Sequence, residues 1–283
     1  MTAEVGQHSR FGEIRAVLFD LDGVLTPTVD IHVVAWSKLF EPFLAARGVV
    51  PSYSDDDYYR YIDGRPRIDG VRALLASRGI VLPEGTPDDS PLDETVWGLG
   101  LRKNDEFFRI LDTVGVVPYP GSVAFLDATI ASGRAVAVVS SSRNAVSVLI
   151  AAQLSEHFAI VVDGMVADAT GLPGKPAPDT FVYAAELLGF TVAECAVIED
   201  AHSGVQAARA GDFGLVVGVD RGVGAQGLYD SGADIVVSDL AELVTALSEP
   251  EISEPALSEP ARSEPALTQP AHSTPTYPEG PRQ

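Results

Sequence analysis

Two pairs of acidic residues stand where apolar runs of the chain end. Asp20 and Asp22 follow "IRAVLF", and Glu199 and Asp200 end "CAVIED". Two carboxylates held close together repel unless a cation lies between them or one takes a proton. Mg²⁺ relieves that repulsion because it prefers oxygen ligands. If both pairs end strands of one parallel sheet, they can converge on a single ion, whereas one pair alone is also typical of an exposed helix cap.

Hydroxyl groups and a lysine follow in the same kind of position. The run "AVVSSSRN" puts Ser140, Ser142 and Asn144 at the predicted start of a helix. Hydroxyls and free backbone N–H groups there can hold a phosphate dianion, although an ordinary serine N-cap would explain one serine of the run. Lys175 lies between glycine and proline in "GLPGKPAPD". A lysine held in such a loop suits neutralising phosphoryl charge, and a solvated surface lysine is the alternative.

The elements that must position these residues alternate between strand and helix patterns. The short apolar runs are continuous and β-branched, as in strands buried on both faces of a parallel sheet. They read "AVLF", "AVAVVS", "FAIVV", "CAVIED", "LVVGV" and "ADIVV", and helical patterns separate most of them. This repetition predicts an α/β fold with a doubly wound parallel sheet, that is, a Rossmann-like core with right-handed crossovers.

A long stretch without a convincing strand pattern follows the first strand. Residues 28–113 contain helical runs and are predicted to form an inserted helical cap domain over the carboxyl edge of the sheet, where ligands bind in such folds. The α/β core then comprises residues 13–27 and 114–247. Residues 1–12 are predicted to be disordered, as are residues 248–283, a Ser/Glu/Pro/Ala-rich tail. This tail is either inert or a docking segment for an unknown partner.

Composition narrows the partners and the location. The formal net charge of −21 argues against nucleic acids and anionic membranes, because both would be repelled. One cysteine, Cys195, excludes a disulfide framework and fits a reducing compartment. No apolar run approaches the roughly 20 residues that span a bilayer, and no signal-peptide pattern is present. These features predict a cytoplasmic protein, which we expect to be a monomer.

Four motifs follow one another in a specific order: "DLDGVLT", "SSSRN", "GKPAPD" and "IEDAHSG". As a set they resemble the haloacid-dehalogenase-like phosphotransferases, and the resemblance covers about residues 14–246. Within that superfamily the greatest likeness is to mutases that act on β-glucose 1-phosphate, whose cap is a helical insertion after the first motif. The resemblance implies phosphoryl transfer through an aspartyl phosphate, with Mg²⁺ as cofactor and a small-molecule sugar phosphate as substrate.

The resemblance also implies a role for each core motif. Asp20 would be the nucleophile and Asp22 the general acid/base. Asp20, the backbone carbonyl of Asp22, Glu199 and Asp200 would surround Mg²⁺. The transferring phosphoryl group would meet Ser140 and Lys175, and the sugar or its second phosphate would meet Ser142, Arg143 and Asn144.

In the cap, the resemblance singles out residues that a mutase needs and a phosphatase does not. A mutase must hold a second phosphate away from the metal, which demands cations in the cap. Gly64 and Arg67 in "YIDGRPRIDG" match the family's glycine and its arginine for the distal phosphate, and Lys103 in "LRKNDEFF" matches a cap lysine. Without the resemblance, these cations would be read as solvated surface. The cap entrance and hinge would be formed by His32, Trp36 and Thr28.

The sequence leaves the reaction itself open. Asp63 stands where the mutases have a lysine, which reverses a charge near the cap site and is compatible with a different sugar. The expected reaction is isomerisation of β-D-glucose 1-phosphate to glucose 6-phosphate through the 1,6-bisphosphate. The alternatives are a sugar-phosphate phosphatase with the same core chemistry and a catalytically weak binding protein recruited through the Pro-rich tail. The complete motifs speak against the last of these.

Overall fold

The computed structural model describes residues 11–247. The prediction of a disordered tail at residues 248–283, and of a partner for it, lies outside the described residues, as does the prediction for residues 1–10. The prediction for the N-terminus is wrong at Phe11, which is fully buried and packs edge-on against Phe125 with ring centroids 6.1 Å apart. One aromatic ring contributes enough apolar area to anchor the start of the core.

The sheet confirms the predicted fold class. Six strands pair in parallel in the order β3-β2-β1-β4-β5-β6. Their bounds are β1 Ala16–Phe19, β2 Ala135–Val139, β3 Val161–Val162, β4 Cys195–Glu199, β5 Leu215–Val219 and β6 Ile235–Val237. β1 lies between β2 and β4, so the carboxyl ends of these three strands meet at the point where the strand order reverses.

The continuous apolar runs form strands because both faces of the sheet are covered. Along β1, Val17 and Phe19 enter one hydrophobic cluster, while Ala16 and Leu18 enter a second cluster on the opposite face. Successive side chains of a strand point to opposite faces. Every second residue must therefore be apolar on each side, which gives the uninterrupted pattern seen in the sequence.

Ten α-helices connect and cover these strands within residues 11–247. They are α1 Thr28–Ala45, α2 Asp55–Tyr61, α3 Arg67–Ser77, α4 Val96–Val114, α5 Pro120–Ala131, α6 Ala145–Ala151, α7 Gly164–Thr170, α8 Asp179–Leu188, α9 His202–Ala210 and α10 Ala225–Ser231. In this part of the chain, no helix combines the length and the apolar character that crossing a bilayer requires.

Helices α1–α4, here called the helical insertion, follow β1 directly. They share a hydrophobic cluster of their own, in which Trp36 stacks on Phe40 with ring centroids 5.5 Å apart. The Thr95 hydroxyl starts α4 by accepting a hydrogen bond from the Gly98 amide. The boundaries of a separate cap domain at residues 28–113 stay a prediction.

The two ends of the helical insertion run side by side. The Tyr119 amide donates to the Leu25 carbonyl at 3.0 Å, and the Ser122 hydroxyl donates to the Val24 carbonyl at 2.6 Å. Arg221, which lies after β5, donates from Nε to the Gly23 carbonyl at 2.8 Å and stacks over the Tyr119 ring. The chain therefore leaves the sheet and returns to it at adjacent points.

Candidate active site

The ends of β1, β2 and β4 bring the first set of predicted residues together. Asp20 follows β1, and its amide donates to the Ile198 carbonyl of β4 at 2.9 Å. Ser140 follows β2, while Glu199 ends β4. All three side chains are buried. The prediction that strand ends would gather these polar groups at one edge of the sheet agrees with this arrangement.

Lys175 joins all three of these strand ends. Its Nζ donates to Asp20 Oδ1 at 2.6 Å, to Glu199 Oε1 at 2.5 Å and to the Val139 carbonyl at 3.1 Å. Its side chain is 1% exposed, which excludes the alternative of a solvated surface lysine. A buried ammonium is tolerated because three acceptors replace its water shell.

The charges around Lys175 shift one another's protonation. Burial alone would lower the pKa of Lys175, but the ion pairs with Asp20 and Glu199 raise it overall. Burial raises the pKa of Asp20 well above its usual range, and the negative charges of Glu199 and Asp22 add to the rise against the opposing effect of Lys175. The pKa of Asp200 is also raised, by burial first and then by repulsion from Asp63 and Glu199. One lysine therefore leaves this buried acidic group with excess negative charge.

Three carboxylates of this group fit a hard divalent cation. Ligand oxygens of Asp20, Glu199 and Asp200 all lie within 4.8 Å of one another. Glu199 Oε2 accepts hydrogen bonds from the Asp200 and Ala201 amides, both at 3.0 Å, so both oxygens of Glu199 already have partners. A set of oxygen ligands with uncompensated negative charge suits Mg²⁺. Asp20 and Asp200 accept fewer hydrogen bonds than Glu199, so their carboxylates are freer to bind the ion.

Asp22 occupies a different electrostatic environment two residues later. Thr28 donates a short hydrogen bond to Asp22 Oδ1, and His32 Nε2 lies 3.5 Å from the same oxygen. The Ser140 hydroxyl lies 3.5 Å from Oδ2. Burial favours the protonated form, but His32, Thr28 and the charge of Lys103 together lower the pKa of Asp22. Asp22 is thus held as a carboxylate that can accept a proton.

The helical insertion supplies the groups that act on Asp22. Lys103 Nζ lies 2.6 Å from His32 Nδ1. We assign the amine as donor, which leaves the proton of a neutral ring on Nε2, facing Asp22. Burial and the charge of Lys103 lower the pKa of His32, consistent with a neutral ring. Trp36 and Phe107 cover Lys103, whose Nζ lies 5.3 and 4.7 Å from their ring centroids.

The serine run after β2 serves two purposes. The Ser142 amide donates to Ser140 Oγ at 3.1 Å, and the Asn144 amide donates to Ser142 Oγ at 3.2 Å. These contacts shape the turn that starts α6, so the serines do have the structural role that the N-cap alternative gave to one of them. A hydroxyl that accepts from an amide keeps its own proton for donation. Both hydroxyls therefore remain able to bind an anionic oxygen.

A second cationic group lies where the helical insertion meets the serine run. Arg67 Nη1 donates a short hydrogen bond to Asn104 Oδ1, and Asn144 Nδ2 donates to the same oxygen at 2.8 Å. Burial and the nearby charge of Arg143 lower the pKa of Arg67 to about 10. Arg143 pairs with Asp168 on its outer side, and Arg67 Nε has no hydrogen-bond partner among residues 11–247.

Residues 63–66, here called the DGRP loop, close the site from the helical insertion. Burial first, and then repulsion from Glu199, raise the pKa of Asp63 to about 7. Gly64 has φ of +68°, a left-handed conformation that favours glycine. Pro66 packs against Gly174, where an added Cβ would lie 2.5 Å from the proline ring.

These groups line one cavity of about 70 Å³ between the helical insertion and the sheet. The volume holds a few water molecules but is too small for a hexose bisphosphate. Two of the predicted site residues lie outside the cavity wall: Thr28, which bonds Asp22, and Lys175, which bonds Asp20. All the others line the cavity: Asp20, Asp22, His32, Trp36, Gly64, Arg67, Lys103, Ser140, Ser142, Arg143, Asn144, Glu199 and Asp200.

Sequence reasoning missed three polar residues that join the helical insertion to the sheet. Asn104 connects Arg67 to Asn144, and Ser141 and Ser203 donate to carbonyls of the DGRP loop. Each of these residues lies in a motif quoted above, and that position was the only sign in the sequence that it belongs to the site. Their partners are distant in the chain, and no local pattern specifies such a pairing.

Comparison with known proteins agrees with these features. A family model for haloacid dehalogenase-like hydrolases matches residues 14–212. The chain is 48% identical over 241 residues to a β-phosphoglucomutase of Mycobacterium bovis, covering 82% of this chain and 92% of that protein. It is 30% identical over 244 residues to a β-phosphoglucomutase of Bacillus subtilis, covering 84% and 95%. The crystal structure of a β-phosphoglucomutase from Clostridium difficile shares the fold, with a TM-score of 0.66 at 24% identity over 81% of this chain and 93% of the other.

Proposed function

The chain belongs to the haloacid dehalogenase-like hydrolase family, and on that premise we propose that it is a Mg²⁺-dependent β-phosphoglucomutase. The proposed reaction converts β-D-glucose 1-phosphate to glucose 6-phosphate through β-glucose 1,6-bisphosphate. The relatives of this name support the proposal because they match this chain over most of their own length.

The observation that carries a mutase rather than a phosphatase is the position of Arg67. Its half-buried guanidinium lines the same cavity as Asp20, close to Arg143 and next to the amide of Asn144. Burying an arginine beside another cation is unfavourable unless an anion joins them. A second phosphate on the sugar supplies that anion, and hydrolysis of a monophosphate has no need of it.

In the first half of the reaction, Asp20 carries the phosphoryl group. Asp22, held as a carboxylate by Thr28 and the His32–Lys103 pair, takes the proton of the C6 hydroxyl of the sugar. The freed electron pair of that oxygen attacks phosphorus, and the bond between phosphorus and the Asp20 oxygen breaks. The product is the bisphosphate, with the proton on Asp22.

The second half reverses these roles after the bisphosphate has turned end for end. The Asp20 carboxylate attacks the phosphorus at C1, and the bond from phosphorus to the C1 oxygen breaks. Asp22 returns its proton to that oxygen. Glucose 6-phosphate leaves, and the aspartyl phosphate is restored.

Residues around Asp20 handle the charge that moves during transfer. The Lys175 ammonium and the Ser140 hydroxyl are proposed to bind the phosphoryl oxygens as negative charge builds there. Mg²⁺ held by Asp20, Glu199, Asp200 and the carbonyl of Asp22 would neutralise phosphoryl charge and bring the repelling carboxylates together. The pairing of Lys175 with Asp20 and Glu199 keeps both carboxylates oriented.

The test is a single time course with β-glucose 1-phosphate, Mg²⁺ and a trace of glucose 1,6-bisphosphate. Glucose 6-phosphate and inorganic phosphate are measured in the same samples. The proposal expects glucose 6-phosphate to outrun phosphate release by a wide margin, with the α anomer inert. Phosphate release that matches substrate loss would refute it.

A sugar-phosphate phosphatase is the second candidate, and Asp63 is the observation that favours it. This carboxyl lies in the DGRP loop and lines the cavity with Asp20. At neutral pH part of the Asp63 population is ionised, since its pKa is about 7, and a negative charge there disfavours a second phosphate. The variant Asp63→Lys should raise transfer relative to hydrolysis if this reading is right.

Location and assembly are further proposals. We propose a cytoplasmic monomer that acts on a free sugar phosphate. It is proposed to bind neither nucleic acid nor membrane, because its net charge of −21 would repel both. Light scattering coupled to size-exclusion chromatography would test the monomer, and a dimer mass would refute it.

A further inference from the structure

The DGRP loop is fastened to the sheet by two serine hydroxyls. The Ser141 hydroxyl donates to the Gly64 carbonyl at 2.8 Å, and the Ser203 hydroxyl donates to the Asp63 carbonyl at 3.3 Å. The two serines are 62 positions apart in numbering and approach the loop from the ends of different strands, β2 and β4. Two consecutive carbonyls of the loop thus accept hydrogen bonds from residues that follow two different strands.

The backbone of the loop is shaped for this contact. Gly64 adopts φ of +68°, and a Cβ added there would lie 2.1 Å from Ser203 Oγ. Glycine is therefore required for its conformation and for the close approach of Ser203. Pro66 completes the contact by packing on Gly174, the residue before Lys175.

Both hydroxyls sit next to groups that hold the substrate in the proposed function. Ser141 lies between Ser140 and Ser142, and Ser203 lies three residues after Asp200. When the loop is fastened, Asp63 and Gly64 form a wall of the cavity that contains Asp20.

We propose that Ser141 and Ser203 are positioning residues that fasten the DGRP loop over Asp20 and so exclude water from the aspartyl phosphate. The inference rests on the proposed mutase function, and in it the fastened DGRP loop sets the ratio of phosphoryl transfer to hydrolysis. Both hydroxyls donate to carbonyls of the DGRP loop, and Ser141 also lies in the cavity wall. Each acts through a loop carbonyl, and the two act as a pair because the carbonyls are consecutive.

The first test is amide hydrogen exchange on the full chain with Mg²⁺ and without sugar. In Ser141→Ala and in Ser203→Ala, exchange of the amides of residues 62–65 should become about fivefold faster, the factor for the loss of one neutral hydrogen bond. The double variant should exceed either single one. Ser77→Ala is the matched control, since the Ser77 hydroxyl donates to the Leu74 carbonyl of its own helix at 2.7 Å, and it should leave these amides unchanged. Unchanged exchange in both single variants would overturn the proposal.

The second test measures glucose 6-phosphate and inorganic phosphate with the same variants. The phosphate fraction should rise about fivefold in each single variant, whereas Ser141→Thr, which keeps a hydroxyl, should restore the wild-type ratio. Faster exchange with an unchanged ratio would overturn the role in water exclusion. Failure of the proposed function is a separate result, because it would show in the wild-type protein as phosphate release alone, while the exchange experiment would still decide whether the serines hold the loop.

Discussion

The ion pairs of Lys175 make a quantitative prediction about stability. The variant Lys175→Met removes three hydrogen bonds, to Asp20 at 2.6 Å, to Glu199 at 2.5 Å and to the Val139 carbonyl at 3.1 Å. The ammonium is 1% exposed, so water does not replace it. Removing one partner of a buried ion pair costs about 4 kcal/mol. In a protein of this size that loss lowers the melting temperature by about 10 °C.

The loss should depend on pH in a defined direction. Asp20 and Asp200 already have raised pKa values in the folded protein, and removing the lysine raises that of Asp20 further. A carboxyl whose folded pKa lies above its unfolded value destabilises the fold at high pH, and protonation relieves that cost as the pH falls through the folded pKa. The deficit of Lys175→Met should therefore shrink as the pH falls through the raised pKa of Asp20.

The assay is urea unfolding at a series of pH values, with a chelator present so that no divalent cation replaces the lysine. Lys38→Met is the matched control, because Lys38 pairs with Glu106 at 3.2 Å on the surface, with half of its side chain exposed. That pair should contribute less than about 1 kcal/mol at any pH. Equal stability of Lys175→Met and the wild type at high pH, or a deficit that grows on acidification, would refute the reasoning.

Three further variants test the assigned roles. Asp20→Asn should abolish turnover while the fold is retained, since an amide oxygen can still accept from Lys175; circular dichroism and product assays check this, and appreciable residual turnover would remove Asp20 as nucleophile. Arg67→Ala should lower glucose 6-phosphate formation by at least about tenfold while hydrolysis of a small aryl phosphate is unchanged, and an equal loss in both would contradict the distal-phosphate role. Lys103→Met removes an amine whose own pKa burial and Arg67 lower, and whose charge adds to His32 and Thr28 in lowering the pKa of Asp22. The acid limb of the pH profile of kcat/KM should therefore move to higher pH, and a limb that stays in place or moves to lower pH would argue against this electrostatic role.

The strand-borne part of the site was predictable because it follows from a topological rule. Apolar runs ending in Asp20, Ser140 and Glu199 needed only a parallel sheet with β1 in the middle for these residues to meet. Lys175 was predictable as a candidate because its loop is rigid by composition. Its three buried acceptors were not, since they come from three different strand ends.

Contacts made by the helical insertion were harder to predict. Asn104 stands beside Lys103 in α4, but its function depends on how α4 approaches the serine run, which the helical pattern does not encode.

Glu199 was predicted only as a metal ligand, yet one oxygen accepts from Lys175 and the other from two amides. Phe11 was assigned to a disordered terminus because a single aromatic residue has no periodicity, and its burial against Phe125 is a tertiary effect.

The side-by-side ends of the helical insertion have a consequence for how substrate range can change. Leu25 and Tyr119 are joined by one backbone hydrogen bond of 3.0 Å, so the chain enters and leaves α1–α4 at adjacent points. Segments whose ends are that close can be exchanged with little strain on the host fold. A foreign helical segment grafted between these two residues would leave Asp20 and Lys175 on the sheet, but it would have to supply its own counterparts of Thr28, His32 and Lys103, which act on Asp22. The replaceable segment thus carries the groups that act on Asp22 and part of the cavity wall, whereas the sheet keeps Asp20, Lys175 and the buried acidic cluster.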